Sequence, residues 1–284
     1  MISDRDTNIV YVSGLLRRRY PEVRDALKAA LGGNLRSITG TKDIWCRDYM
    51  PIQLTQDRFV QFKFAPEYLK DYAHRRTEDG ASLLRLRNCV YSDLVVDGGN
   101  VVRWGDTVVM TEKVYQENPK IPRPELRQKL QKLLEVSRLV MIPVEPRDIC
   151  GHSDGVVRFV DHDTVLVNDY SDVEPAYSQR LLAALARHGL DAIPFTYCPT
   201  DERGTDPGIP PATGCYINFL QTQDKICVPA FGLAADEKAA IILAELFPQC
   251  QVIPVWCPKL ALEGGAINCV TWNIKVEARQ RKAQ

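Results

Sequence analysis

The sequence predicts an α/β protein built as a closed ring of five ββαβ-like units around one central axis. Five stretches share a layout, a knot of small and polar residues followed by alternating apolar ones. They are DIWCRDYMPIQLTQDRFVQFKF, LVVDGGNVVRWGDTVVMTEK, CGHSDGVVRFVDHDTVLVND, ATGCYINFLQTQDKICVPAF and ALEGGAINCVTWNI. The knots recur at intervals of roughly 50 to 60 residues, the range of tandem supersecondary repeats. In addition, the N-terminal segment carries the pieces that the fifth stretch lacks, which is how a ring of repeats hides its edges.

In chain order, NIVYVSG reads as a strand, YPEVRDALKAALG as an amphipathic helix opened by Pro, and LRSITG as a second strand. Each of the first four knots leads into a strand, a turn and a returning strand. The turns TQDR, WGD, DHD and TQDK are rich in residues that tight hairpins accept. Helices follow most hairpins: RPELRQKLQKLLEV, EPAYSQRLLAALARHG and AADEKAAIILAELF have apolar residues at helical spacing and Pro or Asp near the start. Short apolar strands ending in Pro come next: LVMIPVEP, DAIPFTYCP and QVIPVWCP. No Gly/Ser linker or shift of composition divides the units, so residues 1–284 read as a single domain. The Pro/Gly-rich stretch TDERGTDPGIPPAT, residues 200–213, reads as a long loop and a candidate lid.

With 45% hydrophobic and 25% charged residues, the 284-residue chain can bury a full core. Lys plus Arg equals Asp plus Glu at 36 each, so no global field draws it to nucleic acid or an anionic membrane. MISDRDTNIVYVSG has no basic stretch followed by an apolar one, and no apolar run approaches a membrane span, so a cytoplasmic protein is expected. Nine cysteines without a CxxC pair argue against a disulfide framework or a structural zinc. GGNVVRWG fails the GxGxxG pattern, and DHDTVLVNDYSD lacks the central Gly and terminal Glu of a calcium loop.

The knots hold the chemistry. In repeat order they offer Asp48, Asp97, His152 with Asp154, Cys215 with Asn218, and Cys269. Rotation about one axis brings equivalent positions together, so carboxylates, an imidazole and a thiol are expected in one cavity. Thiol and imidazole suggest a thiolate nucleophile with a general acid and base. The carboxylates suggest a cationic substrate, for which planar guanidinium is the best match. The glycines before Cys269 are expected to let the backbone approach the substrate closely. Taken singly, each residue has a structural reading: Cys269 as a buried thiol, Asp154 as a turn residue, Asp48 as an ion-pair partner of Arg47, Trp45 as core or substrate-side. Cys46, Cys215 and Cys257 read as apolar packing residues, and His74, His162 and His188 as non-catalytic.

WCRDYMP, VVDGGN, GHSDGVVRF, GCYINF and GGAINCVT resemble, in order and spacing, the motifs of the agmatine deiminase and bacterial-type peptidylarginine deiminase family of the pentein superfamily. The resemblance spans roughly residues 40 to 274. It implies a pentein-type α/β propeller with pseudo-five-fold symmetry and a deiminase that turns a guanidinium into a ureido group plus ammonia. It implies Cys269 as nucleophile, His152 as acid and base, Asp48 and Asp154 as guanidinium-binding carboxylates, and Asp97 as the group that orients His152. Trp45 and Asn218 are placed with the substrate-binding residues. The chemistry requires neither metal nor organic cofactor. The expected partner is a small guanidino compound, with agmatine and polyamine (putrescine) synthesis as the implied context; a homodimer stays open. Asn268 stands where agmatine deiminases usually carry His. Peptidyl-arginine or free arginine deimination, amidino transfer by the same Cys, and non-catalytic arginine binding remain alternatives.

Overall fold

The computed structural model describes residues 1–206 and 208–277. Five three-stranded sheets stand in a ring, each with one antiparallel and one parallel strand pair. Strands β1 (Ile9–Ser13) and β2 (Leu35–Ile38) are parallel neighbours joined by the helix Pro21–Leu31. The next unit holds β3 (Ile52–Gln53), β4 (Phe59–Lys63) and β5 (Cys89–Val95). It is followed by β6 (Val102–Trp104), β7 (Thr107–Thr111) and β8 (Arg138–Ile142). Then come β9 (Val157–Phe159), β10 (Thr164–Asn168) and β11 (Asp191–Phe195). The fourth unit is β12 (Leu220–Gln221), β13 (Lys225–Ala230) and β14 (Gln251–Trp256). Finally β15 (Thr271–Ile274) pairs antiparallel with β1, so the two ends of the described chain share the fifth sheet.

Each parallel pair needs a crossover, and a helix supplies it in four units. Helices Pro21–Leu31, Arg123–Leu134, Pro175–Ala186 and Ala235–Leu246 coincide with the four expected from the apolar spacing. Three of them bury a stripe at i, i+4 and i+8: Val23, Leu27 and Leu31; Leu126, Leu130 and Leu134; Tyr177, Leu181 and Leu185. The β3–β4–β5 unit differs. Its crossover is a 3-10 segment, Glu67–Arg75, with a single turn, Gly80–Leu83, and the first of these carries no buried residue. His74 lies in that 3-10 segment rather than in the charged helix its surroundings suggest.

The inner strands converge on the axis and end in a buried polar layer. Gln53, Arg103, Arg158, Gln221 and Asn273 occupy corresponding places and are all buried. Asp4, in the 3-10 turn Asp4–Asp6, closes this layer. Its carboxylate lies 3.3 Å from Arg103, 3.1 Å from Arg158 and 4.0 Å from Arg47, and Asn273 Nδ2 donates to it at 3.4 Å. Burial opposes the charge, but the three guanidinium groups outweigh it and hold the Asp4 carboxyl down at about 2.

Leu27 lies on the closing helix and is fully buried. Leu27→Ala is expected to cost about 2–5 kcal/mol, read as a lower urea midpoint at unchanged slope. An unchanged midpoint would show that this helix does not hold the ring shut.

Candidate active site

Three knots form single helical turns where a strand leaves the axis. Asp48 sits in the turn Cys46–Tyr49; Asp97 precedes the turn Gly98–Asn100; His152 precedes Ser153–Gly155. The turns interlock because the second knot has almost no side chains: a Cβ on Gly99 would lie 2.6 Å from His152 Nδ1 and 2.7 Å from Asp48 Oδ1. Gly99 N–H instead donates to Asp48 Oδ1 at 3.0 Å. The Asp148 carboxylate pins the third knot, accepting from Cys150 N–H at 2.9 Å and His152 N–H at 3.1 Å.

A cavity of about 340 Å³ opens above the knots. Trp45, Asp48, His152, Asp154, Asn218 and Cys269 all line it. Asp97 does not: contrary to the expectation of a shared cavity, it stands behind His152, with Oδ2 3.0 Å from the Nε2 of that ring. It can hold the imidazole from behind. His152 Nδ1 lies 3.5 Å from Asp48 Oδ1 on the other side of the ring. Asn218 Oδ1 lies 3.4 Å from both the Cys269 Sγ and its backbone N–H. Asp154 Oδ2 accepts from Asn268 Nδ2 at 2.6 Å.

Other expectations change. Arg47 does not pair with Asp48; its guanidinium turns to Asn268 and Asn273. Cys215 is not plain packing, since it lines the cavity and contacts the Gly155 carbonyl, whereas Cys46 and Cys257 are buried. The glycines before Cys269 make room for protein: a Cβ on Gly265 would lie 2.5 Å from the Trp45 ring, and Gly264 has φ +90° against Ile209. Within the 200–213 loop, Asp206 and residues 208–213 line the cavity, tied to the Leu262 carbonyl by Thr205 N–H at 2.8 Å.

Sequence reasoning missed several groups. Tyr68 donates to Asp97 Oδ2 at 3.0 Å and meets the His152 ring edge-on, with 6.3 Å between centroids. It comes from the 3-10 segment, which has no motif. Glu145 lines the cavity with one buried oxygen unpartnered, and Glu117 is likewise unpartnered at one oxygen. Among the described residues, no group of three or more His, Cys, Asp or Glu is arranged to hold a metal, and no helix is long and apolar enough to cross a membrane.

The electrostatics follow from burying acids together. Burial, reinforced by Asp97 and Asp154, raises the Asp48 carboxyl to about 7. Burial likewise raises Asp154. Burial and neighbouring acids lift Glu145 to about 7 and Glu117 to about 8. Burial alone would discharge His152, but Asp48, Asp97 and Asp154 overcome it and push its pKa well above the usual value. Burial, then Asp154 and Asp48, push the Cys269 thiol well up. The site is thus a sink for positive charge.

These features define a class: five ββαβ units around a cavity lined by Cys, His and carboxylates make a pentein. The chain belongs to the Porphyromonas-type peptidyl-arginine deiminase family, whose description matches residues 2–274. It is 28% identical over 271 residues to the agmatine deiminase of Stutzerimonas stutzeri, covering 81% of this chain and 73% of that one. The agmatine deiminase of Enterococcus faecalis has the same fold, with a TM-score of 0.80 at 19% identity over 96% of this chain and 94% of that one. A C. jejuni agmatine deiminase with substrate bound gives 0.77 at 16% identity, covering 97% and 96%.

The raised groups predict a pH dependence. Asp48, Asp154, Glu145, Glu117 and His152 all hold protons more tightly folded than unfolded, so the folded state binds more protons and stability falls as pH rises. The carboxyl contribution is full below the ordinary carboxylate range and is lost as pH climbs through about 7 to 8. The His152 contribution is full below 6.5 and is lost above that, as pH passes its raised folded value. Melting temperature is expected to drop between pH 5 and pH 8, and a guanidinium ligand to restore more at pH 8. A melting temperature that climbs over this range would contradict the assignment.

Proposed function

We propose that the chain is a deiminase that hydrolyses the guanidinium group of agmatine or a related guanidino compound to a ureido product and ammonia. The reading treats the five units as one catalytic domain. One observation carries it: Asp48 and Asp154 face the cavity, and neither forms a salt bridge to Lys or Arg among the described residues. A planar cation completes them. The agmatine deiminases among its relatives support the same substrate class.

Asp48 and Asp154 grip the guanidinium and set its carbon against the Cys269 sulfur. The bound cation offsets the two acids that suppress thiol ionisation, so the thiolate forms when the substrate arrives. Sulfur adds to the guanidinium carbon. His152 gives its proton to the departing nitrogen, the C–N bond breaks and ammonia leaves. His152, now neutral, takes a proton from water; the hydroxide adds to the thiouronium carbon, the C–S bond breaks as the new hydroxyl gives its proton to the departing sulfur, and the ureido product leaves the Cys269 thiol restored, replacing the proton that the thiol released to solvent when the substrate bound. Asp97, itself held by Tyr68, keeps the imidazole in place through both proton transfers.

Ammonia release from agmatine, free arginine, an arginine peptide and methylated arginine tests the reading, with Cys269→Ala as control. Release that depends on Cys269 from one of these names the substrate. Silence across all four with binding intact overturns the hydrolase in favour of amidino transfer or plain binding. Asp48→Asn and Asp154→Asn are each expected to weaken binding by about 2–5 kcal/mol. His152→Ala is expected to slow turnover on the order of 100-fold to 10,000-fold with less effect on binding. Wild-type behaviour in these variants would move the roles to other residues.

A further inference from the structure

The residue before the nucleophile has no task in the chemistry above, yet its side chain is tied at both ends, to Arg47 and to Asp154. Asn268 is 1% exposed. Its Oδ1 accepts from Arg47 Nη2 at 2.9 Å, and its Nδ2 donates to Asp154 Oδ2 at 2.6 Å. Its backbone carbonyl accepts from Arg47 Nε at 3.3 Å, and its N–H donates to the Asn218 carbonyl at 3.0 Å. Arginine only donates and ionised aspartate only accepts, so the amide has one allowed orientation, oxygen to Arg47 and nitrogen to Asp154. Arg47 cannot drift, because Nη2 also donates to Asn273 Oδ1 at 2.7 Å and its own N–H donates to the Cys269 carbonyl at 3.1 Å.

From this geometry we infer that Asn268 is a positioning residue for guanidinium recognition: it transmits the fixed placement of Arg47 to Asp154 and sets the plane of that carboxylate. The inference rests on the deiminase reading and adds to it. Asp154 Oδ2 is occupied from the side, while Oδ1 accepts no hydrogen bond among the described residues. A carboxylate held this way presents a defined edge to the cavity, as two-point binding of a planar cation requires. A free carboxylate would rotate and lose part of that binding on each encounter. The chain places the anchor next to the nucleophile, so one turn, Asn268–Cys269, sets both the attacking sulfur and the orientation of the group that holds its target. An acid at 268 would set like charge against Asp154, and an apolar side chain would release Asp154 and take an acceptor from Arg47.

The test compares two thiol reagents of nearly equal size, 2-chloroacetamidine, a planar cation, and 2-chloroacetamide, its neutral counterpart. Each alkylates Cys269 as the S–C bond forms and chloride departs, and neither requires turnover. The readout is the ratio of the two second-order rate constants, cation over neutral, so a general disturbance of the thiol cancels. The wild-type ratio is expected to be well above one, and Asp154→Asn sets the scale of its loss. Asn268→Ser and Asn268→Gln are each expected to lower it on the order of tenfold, the weight of a hydrogen bond to a charged group. Two variants are used so that misfolding of one, judged by near-UV circular dichroism, does not remove the test. A ratio unchanged in a folded Asn268 variant, while Asp154→Asn lowers it, overturns the positioning role. A wild-type ratio near one, with Cys269 still alkylated by the neutral reagent, overturns the deiminase reading instead.

Discussion

The structure depends on how charge is stacked along one axis. Asp48, Asp97 and Asp154 surround His152 in a buried space, an arrangement that burial alone would neutralise by protonation. Beneath them lies the opposite layer, Arg47, Arg103 and Arg158, itself too positive to stand alone and tied off by Asp4. The layers meet through Arg47 and Asn268. The acids lining the cavity, the arginine layer beneath them and the seating of the N-terminal turn are therefore parts of one electrostatic arrangement, with Asp4 at its far side.

Repetition makes this stacking feasible. A single ββαβ unit buries one face of a small sheet under a helix and leaves its inner strand bare; five units cover one another and leave only the axis polar. Because each unit delivers its knot to the same height, small differences in knot composition become different functional groups in one cavity. The Asp-Gly-Gly knot gives up bulk so that Asp48 and His152 can face each other across it. The Cys-bearing knot gives up bulk to seat Trp45.

The ring, its five units and its closure were legible in the sequence because they are written as period: alternation in the strands, a stripe at i, i+4 and i+8 in the helices, and a regular interval between knots. Asp48, His152, Asp154, Asn218 and Cys269, which line the cavity, were legible because symmetry turns an interval into convergence. Asp97 was misplaced for the same reason, since symmetry fixes where the knot lies but not how far a side chain stands from the axis. Tyr68 was hidden in the one crossover that is not a helix, where no periodic signal exists. Arg47 entered the sequence reading only as a possible structural partner of Asp48; in a single helical turn adjacent residues point apart, and its guanidinium turns to Asn268 and Asn273. Glu145 and Glu117 carry no motif, and it is burial, with the acids Asp148 and Asp97 beside them, that makes them chemically unusual.

The fifth sheet also sets a timetable. Asn8 and Val276 hydrogen-bond across 268 positions of sequence, and β15, which follows Cys269, finds its antiparallel partner in β1. As the chain emerges from the ribosome, β1 leaves first and waits with an open edge until residues 271–274 arrive. Pairing at such separation is slow to form. A chain that stops short of residue 269 has neither the Cys269 sulfur nor the closed fifth sheet, so the thiol of the cavity and the ring that presents it are completed together, late in the order of synthesis.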